Sequence, residues 1–333
     1  MDGGDPASDD AEWLLRELGG KHRSQALSTL AAVGAADVLR DRGPSHVADL
    51  AVAIGCEPAA LESLLRAAAG MGCMLEQSPG CFSLTSRGEQ LCSDQLGAFA
   101  DFLGSRAQWD AWSRLREAIC DEDPATPAAR ALGRPLYEHL AADARASADY
   151  DAAIDAFTRH EAARLRGRLD LREAKAIVDV GGGRGTLLRA LLDEAPAARG
   201  VLFDLPHVIE RARASLPKVI DAVAGDFLAA VPAGGDVYVL KHVLHNWPDD
   251  DARRILENCR DARVAGGRVI VLDAVLAPDN RPDLARMLDL EMRVLFGSSE
   301  RRKPELRRLI QAAGLQVESA SELTASSWLF VCR

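Results

Sequence analysis

The chain has no run approaching the ~20 consecutive apolar residues that a helix needs to span a bilayer, so a helical membrane protein is excluded. Basic charge is scarce. Forty Lys and Arg face 50 Asp and Glu, a net charge of −10, and general affinity for nucleic acid is not expected. Only five of the cations are lysines (21, 175, 218, 241 and 303), which, with abundant alanine, reads as codon bias in a GC-rich bacterial genome. No two of the seven cysteines (56, 73, 81, 92, 120, 259 and 332) are spaced C-x-x-C, so neither a zinc nor a redox motif is present. Their odd number, and an acidic Met1–Asp10 without a basic-then-apolar leader, point to reduced, mostly buried thiols in a cytoplasmic protein.

What the chain does have is a globular balance, with 48% hydrophobic and 27% charged residues over 333 positions. That length is about twice a typical domain, so two domains are expected. Residues 1–10 are read as a flexible acidic tail, 11–172 as a helical domain and 173–333 as a domain of alternating strands and helices. In the first, helices are expected over 24–39, 46–54, 59–71, 96–120 and 147–169. Short strands at 73–76 and 81–84 flank Ser78-Pro79-Gly80, and with the two preceding helices they make a winged helix-turn-helix. That motif raises the possibility of a DNA-binding regulator. Residues 45–92, however, hold two arginines (66 and 87) against five carboxylates (49, 57, 62, 76 and 89). A face without net positive charge suits packing or dimerisation rather than phosphate contact.

In the second half, short apolar strands at 176–180, 201–203, 219–223, 237–240 and 268–272 alternate with helices. This is the pattern of a doubly wound α/β sheet covered on both faces, whose ligands lie outside the carboxyl ends of the strands. The first strand ends in Gly181-Gly182-Gly183-Arg184-Gly185, where backbone can approach a ligand closely. Neither the P-loop nor the dinucleotide spacing is matched. The second ends in Asp204, about 20 residues on and suited to ribose hydroxyls. The third ends in Asp226-Phe227, suited to an adenine edge and face. Three such ends in succession point to a nucleoside site.

Together with Leu240-Lys241-His242-Val243-Leu244-His245-Asn246-Trp247, these motifs resemble the S-adenosylmethionine-dependent O-methyltransferases of the plant caffeate type, whose bacterial members tailor polyketides and antibiotics. The resemblance covers most of the chain. It implies a Rossmann-like class I methyltransferase domain after a helical winged-helix dimerisation domain, a homodimer, and S-adenosylmethionine as methyl donor leaving as S-adenosylhomocysteine. Carried over by position, it implies that Gly181 and Gly183 face the methionine portion, Asp204 the ribose, Asp226 and Phe227 the adenine, and Lys241 the cofactor's surroundings. His245 takes the place of the family's general base, flanked by Asp273 and by Glu300 of Glu300-Arg301-Arg302. The family's strand-end acid is commonly glutamate and its third motif residue threonine. The shorter Asp273 therefore leaves Glu300 the stronger orienter of His245.

Residue chemistry agrees with this. A phenol ionises near pH ~10 and an imidazole near ~6.5, so proton transfer to His245 is feasible when it accompanies attack on the methyl. Met292, Phe296, Trp109 and Phe157 are candidate walls for a small aromatic acceptor, and Arg293 is a candidate for an acceptor carboxylate or for solvent. His242, three residues before His245, lacks metal-ligand company in the local sequence and is read as structural or as a cofactor-edge contact; no metal, nucleic-acid or membrane partner is expected. The competing readings are cofactor-dependent hydroxylation or decarboxylation, methyl transfer to nitrogen or carbon, and the DNA-binding regulator.

Overall fold

The computed structural model describes residues 6–120, 125–280 and 283–333. Part of the expected acidic tail, residues 1–5, lies outside the described residues, and Pro6–Leu18 form a helix. The chain parts into two compact units, Met1–Trp109 with Ala152–Phe157, and Asp110–Asp151 with Thr158–Arg333. This division does not fall at the expected boundary near Arg172. Apart from Ala152–Phe157, the helices after residue 110 belong with the sheet.

The first unit carries the winged helix-turn-helix. Helices Val47–Ile54 and Pro58–Gly70 are followed by a hairpin of β2 (Met74–Ser78) and β3 (Cys81–Leu84). A two-residue strand β1 (Ser45–His46), not expected from the sequence, pairs with β3 and completes a three-stranded sheet. Glu57 caps the second helix by accepting from the amides of Ala59 and Ala60, and Pro58 occupies its first turn, where a missing N–H costs nothing. Leu61, Leu65 and Ala68 bury one stripe against Leu30, Leu39, Leu50 and Phe82. Arg66, the lone arginine of that helix, is held by Glu62 at 2.8 Å and Glu76 at 3.1 Å. The helix expected over 24–39 is two, Gly20–Ala32 and Ala35–Arg42, broken where Gly34 adopts φ +72°.

In the second unit, β4 (Ala176–Val180), β5 (Arg199–Asp204), β6 (Ile220–Ala224), β7 (Val237–Lys241) and β8 (Arg268–Leu276) run parallel to one another. β9 (Arg301–Arg302) pairs with the end of β8, and β10 (Val317–Glu322) and β11 (Ser327–Cys332) add an antiparallel edge. The order is β10-β11-β8-β7-β4-β5-β6. From β4 the chain winds outward to β6 and then crosses back to β7, so the switch point lies between β4 and β7. The glycine loop and the His245 segment follow these two strands, which puts both motifs at the one crevice the topology opens.

Both faces of the sheet are apolar. Tyr238, Leu240, Val271 and Phe330 pack on Ile255, Leu256, Leu306 and Ile310. Val239, Ile270 and Leu272 pack on the other side with Leu187, Leu188, Leu191 and Leu192. The cysteines are all free: four are buried, Cys56 and Cys81 half-buried, and Cys120 exposed.

A titratable acid sits inside this sheet. Asp179 on β4 is buried, and its Oδ2 has no hydrogen-bond partner among the described residues. Burial pushes its carboxyl up to about 7 from an ordinary 3.8, opposed by Lys241 and aided by Asp204. The folded chain therefore keeps a proton that the unfolded chain has released, and this group costs stability as pH rises from 4 to 7. Asp179→Asn should remove that slope, gaining on the parent by up to about 4 kcal/mol between pH 4 and pH 8 in urea denaturation. Parallel stability curves for the two proteins would contradict the assignment.

Candidate active site

β7 delivers its carboxyl end into the switch-point crevice and turns sharply. His242 takes φ +51°, the one non-glycine residue with positive φ among the described residues, and a 3-10 turn, Leu244–Asn246, presents His245. Arg301, itself buried, grips this turn. It donates to the carbonyls of Leu244 at 2.8 Å and Trp247 at 2.7 Å, and pairs with Asp249. Its neighbour Glu300 holds the side chain: His245 Nδ1 lies 2.8 Å from Glu300 Oε1. Two consecutive residues thus fix the backbone and the ring of His245. The Glu300 amide in turn donates to Asp289 Oδ1 at 2.8 Å, tying the loop to helix Leu284–Leu295.

His245 is 8% exposed and Glu300 is 4% exposed. A buried carboxylate on Nδ1 fixes the tautomer with its proton there, leaving Nε2 with the lone pair. Asp273, on β8, does reach this group despite its shorter side chain: its Oδ1 is 3.4 Å from His245 Nδ1 and 3.6 Å from His242 Nδ1. Burial pushes the Asp273 carboxyl up, but the two imidazoles more than offset this and hold it below its ordinary range.

Behind them stands Glu161 of helix Ala144–Leu165, its side chain 2% exposed. Both its oxygens lie 3.0 Å from His242 Nε2, and Lys241 Nζ lies 3.3 Å away. Burial pulls the His242 imidazolium down, yet the Glu161 charge outweighs it and lifts the ring to about 9. The same contacts hold the Glu161 carboxyl well below its usual range against burial. His242, His245 and Asp273 offer ligand atoms within 4.8 Å of one another. The acidic company absent from the local sequence is therefore supplied by other elements.

The glycine loop fits a nucleoside-bearing methyl donor. Gly181 and Gly183 have φ +71° and +59°, and a Cβ on Gly181 would lie 3.0 Å from Val243 and 3.7 Å from Phe227. Above Gly183 there is open space. Asp204 sits against the loop, accepting from the amides of Gly183 at 2.8 Å and Leu205 at 2.7 Å. Asp226 accepts from Leu228, and the Phe227 ring meets Trp247 edge-on at 5.6 Å. Lys241, expected in the cofactor's surroundings, has its Nζ 3.3 Å from Glu161.

Of the expected acceptor walls, Met292 is 5% exposed on helix Leu284–Leu295, and Phe296 packs on Tyr137 with ring centroids 5.3 Å apart. Phe296, Tyr137, Asn246 and Trp247 line a cavity of about 540 Å³. Asn246 donates its amide to Tyr137 at 3.1 Å, and its Oδ1 has no hydrogen-bond partner among the described residues. Trp109 and Phe157 belong to the first unit, where Phe157 stacks on Phe99 at 5.2 Å. Arg293 is exposed. Sequence reasoning missed Glu161, Tyr137 and the grip of Arg301. Arg301 was findable as the neighbour of Glu300; Glu161 lies among many charges on its helix, without a local signal.

Residues 112–316 match the model of the O-methyltransferase domain, and residues 15–94 that of the O-methyltransferase dimerisation domain. The chain is 33% identical to a phenazine O-methyltransferase of Lysobacter antibioticus, over 92% of this chain and 91% of that one. It is also 33% identical to an aclacinomycin 10-hydroxylase of Streptomyces purpurascens, over 97% and 88%. The structure of CalO1, a methyltransferase in calicheamicin biosynthesis solved in its S-adenosylhomocysteine-bound form, superposes with a TM-score of 0.85 at 35% identity, covering 100% of this chain and 99% of that one. With its strand-end motifs gathered at one crevice and both domain models matched, the chain belongs to the S-adenosylmethionine-dependent O-methyltransferases.

Proposed function

We propose that this enzyme methylates a phenolic hydroxyl of a small, polyketide-type aromatic, with His245 as general base. The observation that carries the reading is the buried 2.8 Å contact between His245 Nδ1 and Glu300, which leaves Nε2 free to accept a proton. S-adenosylmethionine, when bound, supplies the methyl group and departs as S-adenosylhomocysteine. Gly181 and Gly183 would admit it to the loop, Asp204 would hold the ribose, and Asp226 with Phe227 the adenine. His245 Nε2 receives the hydroxyl proton as the phenolic oxygen attacks. Glu300 and Asp273 stabilise the imidazolium that results. Met292 and Phe296 hold the acceptor ring in line, and that alignment supplies much of the acceleration.

A relative named a hydroxylase belongs to the same family, so the product decides between chemistries. Incubation with methyl-labelled cofactor and a panel of hydroxylated naphthoates, benzoates and phenazines should give label on oxygen. His245→Ala should lower kcat by about 10²–10⁴-fold with little change in KM. An oxygenated or decarboxylated product, or near-full turnover by the variant, would overturn the reading.

The enzyme works as a cytoplasmic homodimer through its helical N-terminal half. The support is the matched dimerisation domain and an N-terminal helix with Trp13, Leu15 and Leu18 57%, 62% and 64% exposed. Sedimentation equilibrium should report twice 35.7 kDa, and Leu15→Asp with Leu18→Asp should shift it toward the monomer. A monomeric parent, or a variant as dimeric as the parent, would contradict this.

A further inference from the structure

The charged group behind His245 is larger than a base and its orienting acids require. Two buried carboxylates, Glu300 and Asp273, converge on His245 Nδ1. We propose that Glu161 and His242 are positioning residues: Glu161 holds the His242 ring against Asp273, so that Asp273 is shared between two histidines instead of facing His245 alone. The proposal rests on the reading of His245 as the base.

The geometry is continuous. Glu161 brackets His242 Nε2 with both oxygens at 3.0 Å, His242 Nδ1 faces Asp273 Oδ1 at 3.6 Å, and the two imidazole rings lie 5.1 Å apart. His242 reaches this place only through its strained φ of +51°, a conformation that persists where surrounding contacts over-determine it. Each packed element contributes a charge to the group. Lys241 at the end of β7 balances Glu161, and Asp179 on β4 faces Lys241. Arg301 on β9 faces Asp273, and Glu300 completes the His245 side. Ser327 on β11 supports Glu161 by a hydrogen bond. The helix that carries Glu161 thereby reports to the base through His242, without touching the base itself.

The test needs no acceptor. Two-dimensional NMR of the full-length protein labelled with ¹⁵N at its seven histidines reads the protonation of each ring, with His242 and His245 assigned by His242→Gln and His245→Gln. In the parent, His242 should keep both ring protons until about pH 9. In Glu161→Gln it should lose one below pH 7, and Glu161→Asp should restore much of the parent behaviour. In His242→Gln the His245 midpoint should rise by about one pH unit or more, because a cation has left its neighbourhood. A neutral His242 at pH 7 in the parent, or an unmoved His245 midpoint in His242→Gln, would overturn the proposal. If His242→Gln does not fold, the two Glu161 variants decide alone, an unchanged His242 titration in Glu161→Gln counting against it. Turnover tests His245 as the base and the titration tests only the charge states, so either can fail without the other.

Discussion

The site in the second unit turns on one contact, a buried imidazole held by a buried carboxylate. Burying such groups in an apolar sheet is costly unless each charge finds a partner in good geometry. The structure meets that condition with a network rather than a pair. Glu300 and Asp273 face His245, His242 faces Asp273, Glu161 faces His242, and Lys241 faces Glu161. In a low-dielectric setting each member's charge state depends on its neighbour's, so no member is set by one partner alone.

The topology explains why these residues, far apart in the chain, can form such a group. Parallel strands deliver their carboxyl ends to one edge, and the reversal between β4 and β7 opens a crevice there. β7 ends at Lys241 and leads into the turn of His245, β8 brings Asp273, and Glu300 stands just before β9, which begins with Arg301. The glycine loop after β4 forms the other wall. A donor's methyl group and an acceptor's proton can therefore be handled side by side by backbone fixed in the sheet.

The strand-end motifs were readable because their chemistry is local. A glycine cluster, an acid about 20 residues on and an acid–aromatic pair each announce themselves within a few positions. The same holds for the winged helix, whose caps and turns are short-range signals. The long-range pairings were not readable in this way. Whether Asp273 reaches His245 depends on strand register, and the contact of Glu161 with His242 on how a 22-residue helix lies on the sheet. His242 shows the difference most clearly. From its sequence neighbours it is an unsupported histidine, and in the fold it is flanked by two acids. The β1 strand and the breaks in the first-unit helices were also missed, since a two-residue strand has no periodicity and a single glycine decides where a helix stops.

If Glu300 acts through His245, removing it should matter only while His245 is present. A double-mutant cycle in kcat, combining Glu300→Gln with His245→Ala on any aromatic acceptor the enzyme turns over, reads this coupling directly. Glu300→Gln should slow the parent substantially and leave His245→Ala almost unchanged. Equal losses in both backgrounds would show that the two residues act independently, and would contradict the account.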